Sequence, residues 1–304
     1  MKKVGLMGLF LVLPLVVLGQ PKSCEQNNIK LQVLGSGGPE LDDGRVSSSH
    51  LLWVDGKAKV LIDAGSGSAH QFGQVKAQFP DLQAILLTHL HVDHSADLPV
   101  FIKGSFFTKR TNDLLVLGPQ GNQLMPDTSD YIDGLFGNDG AYRYLNNYLS
   151  PEQNSAYKIK VIDAPLTHDR PKSHRINDYI TAKSIGVNHG PISAVAWRVD
   201  IGDCAITFSG DMSNKLNSLA ILAQGSDLLV ANNAIEESAT GVARNLHMPP
   251  SEIGKISSQA KVKKLLLAHF MNRSLPHQKQ TTEQVRKSYS EPVLLAEDLM
   301  VVEF

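Results

Sequence analysis

Three histidines and an aspartate fall within six residues, in Thr88-His89-Leu90-His91-Val92-Asp93-His94. Imidazole and carboxylate are the donors that zinc takes when no thiolate is on offer. His89 and His91 are two apart, so both rings project to one side while the chain is extended, and Asp93 and His94 follow as it turns. The cluster directly follows Ala84-Ile85-Leu86-Leu87, a continuous apolar run that suits a buried strand. Four such donors exceed the need of one open catalytic metal. They fit a two-metal site about 3.5–4 Å across that draws further ligands from elsewhere. The plain alternative is a solvated polar loop, which leaves this spacing behind a buried strand to chance.

Gly35-Ser36-Gly37-Gly38 reads as a turn, since no helix with dinucleotide spacing follows. The basic run from His168 to Arg175 reads as a solvated loop, with reception of an anionic substrate as the alternative. Two cysteines make neither a cysteine-rich zinc site nor a disulfide scaffold. Cys204 opens the apolar run Cys204-Ala205-Ile206-Thr207-Phe208, where a buried free thiol is the expected state. Pairing with Cys24 in an oxidising compartment is the alternative.

The elements that must position these donors are short strands between glycine turns. Lys30 to Leu34, Ser49 to Val54, Lys59 to Ile62, Ala84 to Leu87 and Leu114 to Leu117 read as strands, with Asp55-Gly56 a hairpin turn. Residues 120–160 are polar and aromatic and read as partly helical, either a cap near a site or surface helices covering a sheet. The strand rhythm returns at Ala194 to Val199, Ala205 to Phe208 and Asp227 to Val230. A helix is expected over Pro250 to Ala260, then strands over Val262 to Ala268 and Met300 to Phe304. Two strand-rich halves with helices imply α/β sheets packed on one another with helices outside.

Composition bounds the rest. The 304 residues hold 19% charged and 42% hydrophobic side chains, which excludes disordered, collagen-like and coiled-coil classes. Lys2 and Lys3 followed by the apolar run Val4 to Leu18, broken by Pro14, describe a secretory signal peptide over residues 1–19. That leaves one domain over residues 20–304, exported to the periplasm or secreted, with no later stretch able to span a bilayer. The 29 basic and 30 acidic residues argue against bulk nucleic-acid binding.

His89-Leu90-His91-Val92-Asp93-His94 resembles the signature of the metallo-β-lactamase fold, a four-layer αββα sandwich. Leu61-Ile62-Asp63-Ala64-Gly65 resembles the upstream strand and aspartate of that family, whose usual role is to support the metal loop. The resemblance implies two zinc ions, with manganese or iron accepting similar ligands. The resemblance extends to Val187-Asn188-His189-Gly190, Phe208-Ser209-Gly210-Asp211 and Leu265-Leu266-Leu267-Ala268-His269-Phe270, although taken singly His189 reads as a loop residue and Asp211 as a turn former. By it His89, His91 and His189 would hold one metal, and Asp93, His94 and His269 the other, with Asp211 shared. It also implies a water shared between the metals, acidified to hydroxide for attack on an ester, with Asp93 orienting it or taking its proton.

Within the family, Phe208-Ser209-Gly210-Asp211 is similar to the branch of ribonuclease Z, arylsulfatase-like enzymes and cyclic-nucleotide phosphodiesterases. That branch implies His247, in Asn245-Leu246-His247-Met248, as the group that protonates the leaving oxygen, where the plain reading is a surface or helix-capping histidine. One departure stands out. Ribonuclease Z carries a His-Glu pair where this chain reads Ala231-Asn232-Asn233-Ala234, so Asn233 replaces the glutamate and cannot hold an imidazolium by charge. The expected activity is hydrolysis of phosphodiester or sulfate ester bonds in a small anionic substrate, by a chain compatible with homodimer formation. The alternatives are a lactonase or β-lactamase-type carbonyl hydrolase, a ribonuclease Z-like nuclease, and a non-catalytic metal-binding protein.

Overall fold

The computed structural model describes Met1, Cys24 and residues 28–304. Apart from Met1, the expected leader lies outside the described residues. Fourteen strands build two sheets of seven. The first sheet holds β1 (Ile29–Gly35), β2 (Ser49–Val54), β3 (Lys57–Ile62), β4 (Ala84–Leu86), β5 (Leu114–Pro119) and β6 (Ile159–Ala164) in that order, with the last strand of the chain, β14 (Val301–Glu303), at the edge beside β1. The second runs in chain order from β7 (Lys172–Arg175) through β8 (Ile180–Gly186), β9 (Val195–Ile201), β10 (Cys204–Phe208), β11 (Leu228–Asn232) and β12 (Leu265–Ala268) to β13 (Val293–Leu295).

Alternation along the strands sends residues to two faces. Leu31, Leu52, Ile62, Leu86, Trp197, Ile206, Val230 and Leu266 meet between the sheets. On the outer face of the first sheet, Leu61, Ile85 and Val116 pack under Phe101, Ile102, Ile132 and Phe136, which belong to the helices Leu98–Ser105 and Thr128–Phe136. On the outer face of the second, Leu229 and Leu267 lie under Leu219, Ile253, Ile256 and Val285, from the helices Leu219–Leu222, Pro250–Gln259 and Gln278–Arg286. Helix, sheet, sheet, helix is the expected αββα sandwich. Ile132, Phe136, Leu145 and Tyr148 bury against the first sheet, so residues 120–160 cover a sheet.

Parallel pairing decides where the site forms. β3 to β6 run parallel to their neighbours, as do β10 to β13, and β8 shares the direction of β10 across the antiparallel β9. Their carboxyl ends therefore open on one edge of the sandwich.

Two expectations are corrected. Cys204 is not a free thiol: it is bonded to Cys24 across 180 residues of chain, with Cα atoms 4.8 Å apart. Both cysteines are buried in the inter-sheet core, which brings a residue preceding β1 onto the start of β10. The basic run is not wholly a loop. Its end forms β7, paired with β8 from Lys172↔Ser184 to Arg175↔Thr181. Lys172, Ser173 and Arg175 are exposed and His174 is buried, so charge guards an open sheet edge. β6, β7, β8 and β13 carry no turn or apolar signature strong enough to read in advance. Among the described residues, no helix is long and apolar enough to cross a membrane.

Candidate metal centre

Each donor follows the carboxyl end of a strand. Asp63 follows β3, the His89–His94 loop follows β4, His189 follows β8, Asp211 follows β10 and His269 follows β12. Two tight backbone approaches let the loops converge. Gly210 has φ 59°, and a Cβ there would stand 2.7 Å from the Thr88 Cβ. A Cβ on Gly38 would meet His269 Cε1 at 2.8 Å, so the glycine turn after β1 lies directly on a donor.

Asp63 anchors the loop. Its carboxylate accepts from the Thr88 amide at 2.7 Å, the Thr88 hydroxyl at 2.9 Å and His94 Nδ1 at 2.8 Å. With the Thr88 hydrogen directed at Asp63, its oxygen accepts from His89 Nδ1 at 3.1 Å. His189 Nδ1 donates to the Leu246 carbonyl at 2.9 Å. These bonds fix the tautomers of His89, His94 and His189 and leave the Nε2 lone pairs facing one another.

The facing atoms form two sets. His91 Nδ1 lies 3.0 Å from His89 Nε2 and 3.4 Å from His189 Nε2. His269 Nε2 lies 3.1 Å from His94 Nε2 and 3.2 Å from Asp93 Oδ2. Asp211 stands between them, with Oδ1 3.4 Å from His269 Nε2 and Oδ2 3.7 Å from His94 Nε2 and 3.9 Å from His189 Nε2. The two triads and the central carboxylate are the sets expected from sequence, and each could hold a metal ion. In each triad the three donor atoms lie within 4.8 Å of one another, a set of imidazole and carboxylate donors that fits a cation.

The electrostatics agree. Burial alone would raise Asp211, but His269, His247, His94 and His89 hold it well below the ordinary carboxylate range. Asp93 is held at about 2 against its burial, chiefly by His94 and His269. Burial opposes charge on His94 too, yet Asp63, Asp93 and Asp211 push it up to about 10. A proton on His94 thus balances the carboxylates where a metal would displace it. Burial, reinforced by His94, lowers His89 well below its ordinary value, which keeps that ring neutral and able to ligate.

His247, after the helix Gly241–Leu246, places Nδ1 3.8 Å from Asp211 Oδ2. Burial outweighs the attraction of Asp211 and lowers its pKa to about 4, so the ring is neutral at pH 7. Among the described residues no hydrogen bond joins Asn233 to His247. The Asn233 amide donates to the Ile235 carbonyl at 3.1 Å, and its oxygen is buried without a partner. Its neighbour does more at the site: Asn232 Nδ2 donates to Asp211 Oδ1 at 2.8 Å. Thr88 and Asn232 are the supports that sequence reasoning missed. Thr88 borders the histidine motif and Asn232 borders the noted departure, but only the folded register shows what either touches.

The profile of a beta-lactamase superfamily domain matches residues 58–270. The chain belongs to that superfamily. Curated proteins named ribonuclease Z are similar over nearly their whole length. The one from Mycobacterium sp. (strain KMS) is 26% identical over 287 residues, covering 90% of this chain and 96% of the relative. That of Methanosarcina acetivorans is 23% identical over 305 residues, covering 90% and 98%. Among solved structures, human tRNase Z, short form, superposes with a TM-score of 0.69 at 20% identity, covering 90% of this chain and 98% of its own. The metallo-β-lactamase fold protein YhfI from Bacillus subtilis gives 0.67 at 21%, covering 90% and 99%. This superfamily member therefore has the metallo-β-lactamase fold and is a hydrolase of that class.

Proposed function

We propose that this chain is a metal-dependent phosphodiesterase of the ribonuclease Z kind. The observation that carries the reading is Asp211, whose carboxylate lies within 4 Å of His189 from one three-donor set and of His94 and His269 from the other. The ribonuclease Z relatives favour phosphodiester cleavage over the sulfate ester chemistry also compatible with such a site. They raise the nuclease reading above the place the sequence alone assigns it. Asn233 separates the chain from ribonuclease Z where a glutamate is expected, so a general phosphodiester or nucleic-acid end is a better candidate substrate than a transfer RNA precursor.

His89, His91 and His189 would hold one zinc ion and Asp93, His94 and His269 another, with Asp211 common to both; manganese or iron would accept the same donors. The metals would supply Lewis acidity toward the ester oxygens and lower the pKa of water. The protein groups then divide the remaining work. Asn232 and Asp63 fix the donors, Asp93 accepts the proton lost by the attacking water and later returns it to solvent, and His247 takes up a proton from solvent as the phosphate approaches and delivers it to the leaving oxygen. Turnover of an aryl phosphodiester and a short oligonucleotide, but not of an aryl sulfate, a lactone or a β-lactam, is the expected outcome of a substrate panel. Turnover of the sulfate, lactone or β-lactam alone would refute the proposal.

We also propose that the chain works outside the cytoplasm. The leader-like segment and the Cys24–Cys204 disulfide, a bond that persists in oxidising compartments, support this. Cell fractionation with N-terminal sequencing should find a processed chain beginning near Gln20, and an intact Met1 in the cytosolic fraction would refute it.

A further inference from the structure

His50 lies in β2, in the layer between the sheets, 2% exposed. Its ring is 5.7 Å from that of Phe208, and its Nε2 is buried without a hydrogen-bond partner. It lines a small cavity with Ser48, Asp63 and Thr88 on the first sheet and Gly210 and Asn232 on the second. The space open to the centre of a water molecule is about 10 Å³, about the volume that one buried water needs, and its polar wall offers the two to four partners such a water requires. Asp63 and Asn232 are the groups that hold His94 and Asp211. The cavity therefore sits behind the donors, at the seam where the supports of the two sheets meet.

We propose that this cavity is a binding site for one structural water and that His50 is a positioning residue for the metal centre. The water would bond His50 Nε2 and bridge the Asp63 side of the seam to the Asn232 side, fixing both supports at once. Burial, with His94 and His269 nearby, holds the His50 pKa down at about 3, so the ring is neutral and offers one donor and one acceptor to such a bridge. The inference rests on reading the cluster as a metal centre.

The test compares the full chain with His50→Leu and His50→Gln, loaded with zinc and titrated with a chelator. His50→Leu keeps an apolar ring-sized volume and removes the polar atom; His50→Gln restores one. We expect His50→Leu to weaken zinc retention about 10- to 100-fold, the usual effect of losing an outer partner of metal ligands, while His50→Gln stays within about threefold of the parent by the same measure. Thermal unfolding of the metal-free proteins separates packing from positioning, because a purely structural role would lower each variant's melting point below the parent's in step with its zinc retention. Equal zinc retention in all three proteins would overturn the proposal, as would a zinc-loaded crystal structure with a dry cavity. If His50→Leu fails to fold, His50→Gln decides: a tenfold loss of zinc there refutes a role that any polar atom can fill. Failure of the metal-centre reading itself would be recognised separately, by an unsubstituted chain that binds no zinc.

Discussion

At the residue scale, the donors and the groups behind them have different tests. His91→Ala or Asp211→Ala deletes a donor and should remove both bound metal and activity, measured by metal analysis beside turnover; full activity without metal would sink the scheme. Asn232→Ala leaves all seven donors in place but frees Asp211 Oδ1. It should lower metal affinity about 10- to 100-fold with little change in the fold, read by chelator competition and thermal unfolding. His247→Ala should leave metal content intact and slow turnover about 10²- to 10⁴-fold, the range for loss of a general acid. The donors were legible because a metal demands particular side chains, and H-x-H-x-D-H declares them by type and spacing. Thr88, Asn232 and the Leu246 carbonyl were not, because what a support must do is set by where it touches, and many residue types can do it.

Acid sensitivity is also a residue-scale property. His50 has its pKa lowered from 6.5 to about 3 by burial, and burial lowers His174 as well. The unfolded chain protonates such rings below pH 6.5 while the fold keeps them neutral. The contribution of His50 is complete above that pH and is lost as pH falls toward 3, with a slope near 1.4 kcal/mol per pH unit, and that of His174 changes in the same direction. His94, raised to about 10, acts oppositely: its contribution is complete below 6.5 and is lost as pH rises through 10. Urea unfolding of metal-free protein at pH 7 and pH 5 should therefore show a smaller acid loss in His50→Leu than in the parent. An equal loss in both would mean that His50 is not held neutral by the fold.

At the element scale, the strand ends do the organising. β4 delivers four donors, and β3, β8, β10 and β12 deliver one donor or support each, from strand ends that point the same way within each sheet. Strands with a continuous apolar run, such as Ala84 to Leu87, could be read in advance. The polar edge strand Lys172–Arg175 could not, because pairing with β8 rather than hydrophobic pattern makes it a strand. The same reasoning explains the misread cysteine. Local sequence shows an apolar run around Cys204, but its partner is 180 residues away. The bond ties a residue just before the first sheet to a strand of the second, so it restrains the sandwich across its seam. Closing a loop of that length removes unfolded-state entropy, and its loss should cost about 2–5 kcal/mol. The Cys24→Ala/Cys204→Ala pair, or a reductant added to the native chain, should lower the melting temperature while leaving metal content in the folded protein unchanged. An unchanged melting temperature would show that the bond does not form in the native chain.

At the scale of the whole molecule, the question is which property of the sandwich selects a substrate. The donor sets lie at one edge, between loops contributed by both sheets, so a substrate is judged by two half-molecules at once. The balance of 29 basic against 30 acidic residues gives no net field to gather polyanions, so we propose that affinity for an oligonucleotide comes from the few groups near the scissile bond. On that proposal binding is local. An oligonucleotide extended from two to twenty residues should then gain little in kcat/KM. Its salt dependence should also stay shallow, because a chain that neutralises many phosphates loses affinity steeply with salt. The measurement is kcat/KM for a length series at 50 and 200 mM salt, with zinc held constant. A steep rise with length together with a loss of a hundredfold or more at the higher salt would reveal an extended nucleic-acid track and count against the local reading. A flat series would mean that recognition ends where the metal donors end, and it would set this chain apart from enzymes that recognise the body of a folded RNA.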